Sequence, residues 1–163
     1  MNAFQHILVP TDFGDASDRA LELALDLASK FESKVTLLHA TWLPPYYYSA
    51  YAEGLGWPTN ELEGQANKAL DAAVTKAKAR YPQVEGTLMA GEPWERILGA
   101  SKERGADLIV MGTHGRRGLS HVFLGSVAEK IVRLSPIPVM TVCTEAERQA
   151  KEKALAATPS APS

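Results

Sequence analysis

Five short runs rich in Ile, Leu and Val alternate along this chain with longer segments whose apolar residues recur at helical spacing. Few folds accept such an order. It is the mark of β-α-β units, and hence of a parallel sheet covered by helices. His6–Pro10 places Ile, Leu and Val in succession, as a strand buried on both faces requires. Asp15–Phe31 predicts a helix, with Ala20, Ala24, Leu27 and Phe31 at core spacing and Leu21, Leu25 and Ala28 beside them. Lys34–Thr41 reads as the second strand. Glu61–Tyr81, rich in alanine and lysine, reads as the second helix, stopped by Pro82.

The remaining elements follow the same alternation. Val84–Met89 is the third expected strand. Gly91-Glu-Pro-Trp94 opens a third helix that runs to Arg104, and Gly105 supplies its stop. Asp107–Met111 is the fourth strand, Ser126–Leu134 the fourth helix and Ile137–Val142 the fifth strand. Glu145–Ala157 is expected to continue as a charged helix, and Thr158–Ser163 as disordered chain. One domain is expected over residues 1–144, with 145–163 as a tail.

Between the fourth strand and fourth helix lies the segment that points to function. Met111, Gly112, Thr113, His114, Gly115, Arg116 and Arg117 lead toward Gly125, Ser126 and Val127. Glycines can take backbone angles closed to other residues and let main-chain N–H groups come close to a ligand. A helix beginning at Ser126 offers unpaired donors and partial positive charge to an anion. Two arginines add forked donors suited to phosphate oxygens. Each feature also has a plain reading: Ser126-Val-Ala-Glu129 fits a capping box, loop glycines are commonly turns, and paired arginines commonly face solvent. Their convergence on one strand–helix junction favours a phosphate pocket. Neither G-x-x-x-x-G-K-[ST] nor a G-x-G-x-x-G after the first strand is present.

Gly112-x-x-Gly115, nine residues, then Gly125-Ser126 resembles the signature of the ATP-binding members of the universal stress protein family. The opening His6-Ile-Leu-Val-Pro-Thr-Asp-Phe13 resembles its first strand and the Asp that follows, Leu38-His-Ala40 the end of its second strand, and Ser135-Pro-Ile-Pro-Val-Met-Thr-Val142 its closing strand. The resemblance spans about residues 3–143. It implies a doubly wound α/β fold, an open five-stranded parallel sheet in the order 3-2-1-4-5. The connections then diverge between strands one and four, where a ligand crevice is expected. It also implies that Pro10 and Thr11 border the base or sugar, that Asp12 meets ribose, and that the Ala40 backbone contacts adenine. Asp12 has a competing role in shaping the start of the first helix.

The same resemblance implies bound ATP, with ADP or AMP as alternatives, and Mg2+ carried by the nucleotide phosphates. It further implies a homodimer through strand five (residues 137–142), whose apolar edge would otherwise invite uncontrolled pairing. A nucleotide-dependent regulator is expected. The rivals are a nucleotide-free interaction dimer of the same family and a slow ATPase or phosphotransferase acting with a protein partner. His39, His114 and His121 suggest acid–base chemistry, but no nucleophile or carboxylate is paired with them by sequence. Ser120 and Ser126 lack a nucleophile signature.

Charge and composition narrow the field. The formal net charge is −2 and the basic residues are scattered, which gives no footprint for nucleic acid. No apolar run approaches the roughly 20 residues that span a bilayer, and no secretory signal is recognisable. A lone Cys143 excludes an intramolecular disulfide and fits a reducing, cytoplasmic setting. Leu43–Pro58, with four tyrosines and a tryptophan, is long for a connection; it is expected either to cover the adenine side, to bind a partner or to pack on the second helix.

Overall fold

A computed structural model describes residues 4–42, 53, 59–115 and 124–157. Five strands, β1 (His6–Pro10), β2 (Lys34–Thr41), β3 (Val84–Ala90), β4 (Leu108–Gly112) and β5 (Val139–Val142), form one sheet in the order β3-β2-β1-β4-β5. All four pairings are parallel. Five helices accompany them: α1 (Asp15–Phe31), α2 (Thr59–Arg80), α3 (Pro93–Glu103), α4 (Ser126–Leu134) and α5 (Glu145–Ala156). The expected doubly wound α/β fold and strand order are therefore the observed ones.

Strand alternation divides the core in two. Ile7 and Val9 of β1 join Val35, Leu37 and Val110 against the small residues Ala20, Ala24 and Ala28 of α1 and against Leu70 and Ala77 of α2. Leu8, between them, points to the other face, with Leu38, Ile109, Met111, Ile97 of α3, and Ala128 and Ile131 of α4. The alanines let α1 lie close to the sheet, since a methyl group fills less space between the two backbones than a longer side chain. Leu27, expected in the core, packs on its margin and Phe31 against the Phe4 ring, because α1 turns its Ala16–Ala20–Ala24–Ala28 stripe inward. Gly105 ends α3 with a left-handed φ of 65°, the conformation glycine adopts without a Cβ clash.

Several boundaries differ from the sequence reading. α2 begins two residues earlier and ends one earlier than expected. β5 begins at Val139 rather than Ile137, since Pro136 and Pro138 restrict the preceding chain. Asp107 lies before β4 and acts through its side chain: its carboxylate accepts the N–H groups of Gln5 at 2.7 Å and His6 at 3.2 Å, fastening the start of β1. At this same end of the sheet, the buried Thr36 hydroxyl lies 2.8 Å from His6 Nε2 and 3.0 Å from Glu85 Oε1, which Arg104 also reaches at 2.6 Å. This polar network lies near the amino ends of the strands, and the cleft opens at their carboxyl ends. No helix among the described residues is long and apolar enough to cross a membrane. Of the aromatic segment 43–58 Glu53 alone is described, and Trp42 just before the segment is exposed; residues 43–52, 54–58 and the 158–163 tail lie outside the described residues.

Candidate functional site: a cleft at the topological switch point

The two strands whose connections diverge, β1 and β4, lie side by side. A cavity of about 360 Å³ opens at their carboxyl ends, the position favoured for ligands in open α/β sheets. Pro10, Thr11 and Asp12 enter it from β1, Ala40 from β2, and Met111, Gly112, Thr113, His114 and Gly115 from β4. Gly125, Ser126 and Val127 complete it from the start of α4. Residues separated by a hundred positions thus meet in one cleft. Arg116, Arg117, Ser120 and His121 lie outside the described residues.

The β1 wall is held by its own side chains. Thr11 donates its N–H to the Leu38 carbonyl at 2.8 Å, and the Thr11 carbonyl accepts from His39 Nδ1 at 2.7 Å. Because that partner is a carbonyl, Nδ1 carries the proton. The Thr11 hydroxyl accepts the Phe13 N–H at 2.9 Å, stabilising a left-handed φ of 61° that is costly for a bulky residue. The Phe13 ring lies on His39 with centroids 4.5 Å apart. Asp12 Oδ1 accepts from Gly14 N–H at 3.0 Å and from the Ser17 hydroxyl at 2.9 Å, so this carboxylate does shape the start of α1. Its Oδ2 lies toward Gly115, 3.1 Å from where a Cβ on that residue would stand.

The glycines of the cleft act by their small size. Among the described residues, positive φ at glycine occurs at Gly91 and Gly105, and not at Gly112, Gly115 or Gly125, so the expectation of special backbone angles there is corrected. A Cβ on Gly112 would stand 2.8 Å from Ala16 Cβ and 3.0 Å from the Ala16 carbonyl carbon, because α1 starts directly against the end of β4. A Cβ on Gly125 would stand 3.0 Å from the Thr113 carbonyl oxygen, which accepts the Gly125 N–H at 2.8 Å. That hydrogen bond joins the two walls.

Gly125, not Ser126, caps α4, in an extended conformation with φ −62° and ψ 155°. The Ser126 capping box is thereby corrected. Ser126 is the first helical residue and is exposed, while Glu129 turns to Arg133 at 3.0 Å. The N–H groups of Ser126, Val127 and Ala128 stand at the open end of the helix, outside its hydrogen-bond ladder. This end faces the cleft, where it favours an anion.

The sequence reading missed Ser17, Leu38, His39 as a lining residue, Pro93, Ile97 and Ala128. It also missed Glu147 of α5. Burial alone would raise the Glu147 carboxyl, but hydrogen bonds from the Thr144 backbone and hydroxyl, the charge of His114 and the Thr113 hydroxyl hold it below the usual range. Its Oε1 makes an ion-pair contact with His114 Nδ1 away from the hydrogen-bonding direction, so that both buried ring nitrogens lack a well-formed hydrogen bond. The signal was local: Thr144-x-x-Glu147 is a capping box, and Thr144 and Glu147 do exchange those bonds.

A parallel sheet covered on both faces, with a glycine-walled cleft at its switch point, defines the class of doubly wound α/β folds. Within that class, the universal stress protein family model matches residues 3–142, and the chain belongs to the universal stress protein family. Universal stress protein MJ0531 of Methanocaldococcus jannaschii is 33% identical over 144 residues, covering 86% of this chain and 83% of that protein. Universal stress protein YxiE of Bacillus subtilis is 31% identical over 153 residues, covering 85% and 99%. Among solved structures, hypothetical protein MJ0577 has a TM-score of 0.77 at 26% identity, covering 88% of this chain and 98% of its own. A universal stress protein in complex with cAMP has a TM-score of 0.62 at 27% identity, covering 86% and 97%.

Proposed function

We propose that this chain retains ATP in the switch-point cleft and acts as a nucleotide-dependent regulator in stress response. The observation that carries this reading is the joined pair of walls: the Gly125 N–H bonds Thr113, and the open end of α4 faces the same cavity as Gly112–Gly115. A side chain on Gly125 would fill this space, whereas glycine leaves it to a ligand. In the proposed complex Pro10, Thr11 and the Ala40 backbone border the base and sugar, and Asp12 meets ribose. Gly112, Thr113, Gly115, Gly125, Ser126 and Val127 surround the phosphates, with Arg116 and Arg117 assigned to the same charge. Met111 forms the apolar floor. Mg2+ arrives with the phosphates; among the described residues no three metal-ligating side chains gather to hold an ion of their own.

Retention rather than turnover is the favoured chemistry. Phosphoryl transfer needs a positioned nucleophile in addition to phosphate binding. Each histidine of the cleft is held at Nδ1, His39 by the Thr11 carbonyl and His114 by its ion-pair contact with Glu147. ADP and AMP are the alternatives for the same cradle, and the cAMP complex of the related protein shows that a nucleotide is compatible with a fold of this kind. A cytoplasmic homodimer joined at β5 completes the reading, with a protein partner as its reader.

The test is thermal unfolding with and without Mg-ATP. Saturation at a hundredfold excess over the dissociation constant stabilises the native state by about 2.7 kcal/mol, a clear rise in Tm. No shift at millimolar Mg-ATP, together with no nucleotide in an acid extract of the purified protein, would reject the reading. Calorimetry against ATP, ADP, AMP and cAMP then ranks the ligands.

A further inference from the structure

Helix α5 lies beyond the residues 3–142 that match the family, yet it reaches back to the cleft. Its sole buried residue is a carboxylate, Glu147, 5% exposed. Glutamate is almost never buried unless its charge is met. Glu147 Oε2 accepts the Thr144 N–H at 2.6 Å and the Thr113 hydroxyl at 3.2 Å, while Oε1 rests against His114 Nδ1. The Thr144 bond is explained by helix capping. The contacts to Thr113 and His114 are not, because those residues belong to the cleft wall 34 and 33 positions earlier in the chain. Thr113 in turn receives the Gly125 N–H on its carbonyl and donates its own N–H to Val142 at 2.9 Å. A continuous path therefore runs from Glu147 through Thr113 to the cap of α4.

We propose that Glu147 is a positioning residue for the phosphate side of the cleft, and that docking of α5 is coupled to nucleotide occupancy. The coupling rests on the nucleotide reading above. A helix with no buried apolar side chain gains little from the hydrophobic effect, so its hold on the body depends on Glu147 and on the exposed Arg19–Glu145 pair at 3.5 Å. Such a helix docks and releases at low cost. When docked, it fixes the Thr113 carbonyl that orients Gly125, and so prearranges both walls for an anion. Coupling is reciprocal: whatever affinity the nucleotide gains from the docked helix, the helix gains from the nucleotide.

The full chain, Glu147→Ala, Glu147→Gln and the surface variant Glu152→Ala are compared by Mg-ATP calorimetry and by amide hydrogen exchange of residues 112–115 and 145–156. Glu147→Ala is expected to weaken Mg-ATP about tenfold and to speed exchange in both segments. Glu147→Gln recovers most of the affinity, because its carbonyl still accepts from Thr113 and Thr144 and its amide faces His114. Glu152→Ala leaves both readouts unchanged. Saturating Mg-ATP slows exchange in α5 of the unmodified protein, a measurement that needs no variant to fold. Parental affinity in Glu147→Ala, or α5 exchange indifferent to Mg-ATP, overturns the proposal while the nucleotide reading stands. Absence of Mg-ATP binding to the unmodified protein overturns both.

Discussion

Individual side chains in the cleft do two kinds of work, and substitution separates them. Gly112 is required by packing: its Cβ would collide with the backbone of Ala16 and Ser17, 3.0 and 3.1 Å away, where nothing flexible can yield. Gly112→Ala is expected to cost about 1–3 kcal/mol in urea unfolding, the usual penalty of overpacking. At Gly115 a Cβ would stand 3.1 Å from Asp12 Oδ2, a side-chain tip that can give by a few tenths of an ångström. Gly115→Asp is expected to fold with a urea midpoint lowered by repulsion from Asp12, and to lose Mg-ATP affinity about tenfold or more, since a second carboxylate stands beside the proposed phosphates. Equal ATP affinity in this variant and its parent would displace the phosphates from this wall. Glu147 adds a pH dependence. Its folded carboxyl titrates below the ordinary glutamate value of 4.5, so its stabilisation is fully present above that value and is lost as pH falls through the lowered one. Protection of the α5 amides, their exchange rate taken relative to the intrinsic rate at each pH, should fall in that acidic window and stay level between pH 5 and 7; Glu147→Gln should lack this step.

At the scale of elements, helix ends carry most of the correctable strain. α1 stops at Glu32, an exposed residue in the left-handed region with φ 58°. Its N–H still reaches the Ala28 carbonyl, so the bend is enforced by the helix rather than by the side chain. Glycine adopts this conformation without a Cβ penalty. Glu32→Gly should raise unfolding free energy by about 0.5–1 kcal/mol, the left-handed cost less the entropy glycine adds to the unfolded chain. It also removes the charge that, after burial, raises the Tyr81 hydroxyl pKa, so the phenol should titrate at lower pH in the variant. A loss of stability would mean that Glu32 makes a compensating interaction.

For the molecule as a whole, the proposed dimer has a well-defined test in β5. The Pro138 and Val142 carbonyls accept from Ile109 and Thr113 of the β4 side. By the alternation of a parallel ladder, the backbone groups of Val139 and Thr141 face the other way, along the free edge. Met140, on the same strand, is 37% exposed, and Val132 and Leu134 of α4 are exposed nearby in sequence. Val139→Pro or Thr141→Pro removes an edge donor while sparing the bonds to β4. Light scattering at micromolar concentration should show a dimer for the parent and a shift toward monomer in either variant, with little change in circular dichroism. A monomeric parent would end the dimer reading.

Local sequence was sufficient for what depends on periodicity. Ile7-Leu-Val9, the helical spacing of α1 and the glycine after α3 specify their elements through contacts a few residues long, and the spaced glycines marked the cleft as well. Side-chain reach across the fold was different. Asp107 looked like the first residue of a strand, and only the approach of β1 turned its carboxylate into a cap for Gln5 and His6. Ser126 had a capping pattern, but Gly125, whose N–H is bonded to the Thr113 carbonyl, takes the cap position and leaves Ser126 as the first helical residue, where the helix was expected to begin. Glu147 sat in a charged tail with a capping box, indistinguishable in sequence from a solvated helix end. Its burial against Thr113 and His114 exists because β5 delivers the chain back beside β4, and a charge's partners are set by where the chain returns rather than by its neighbours in sequence.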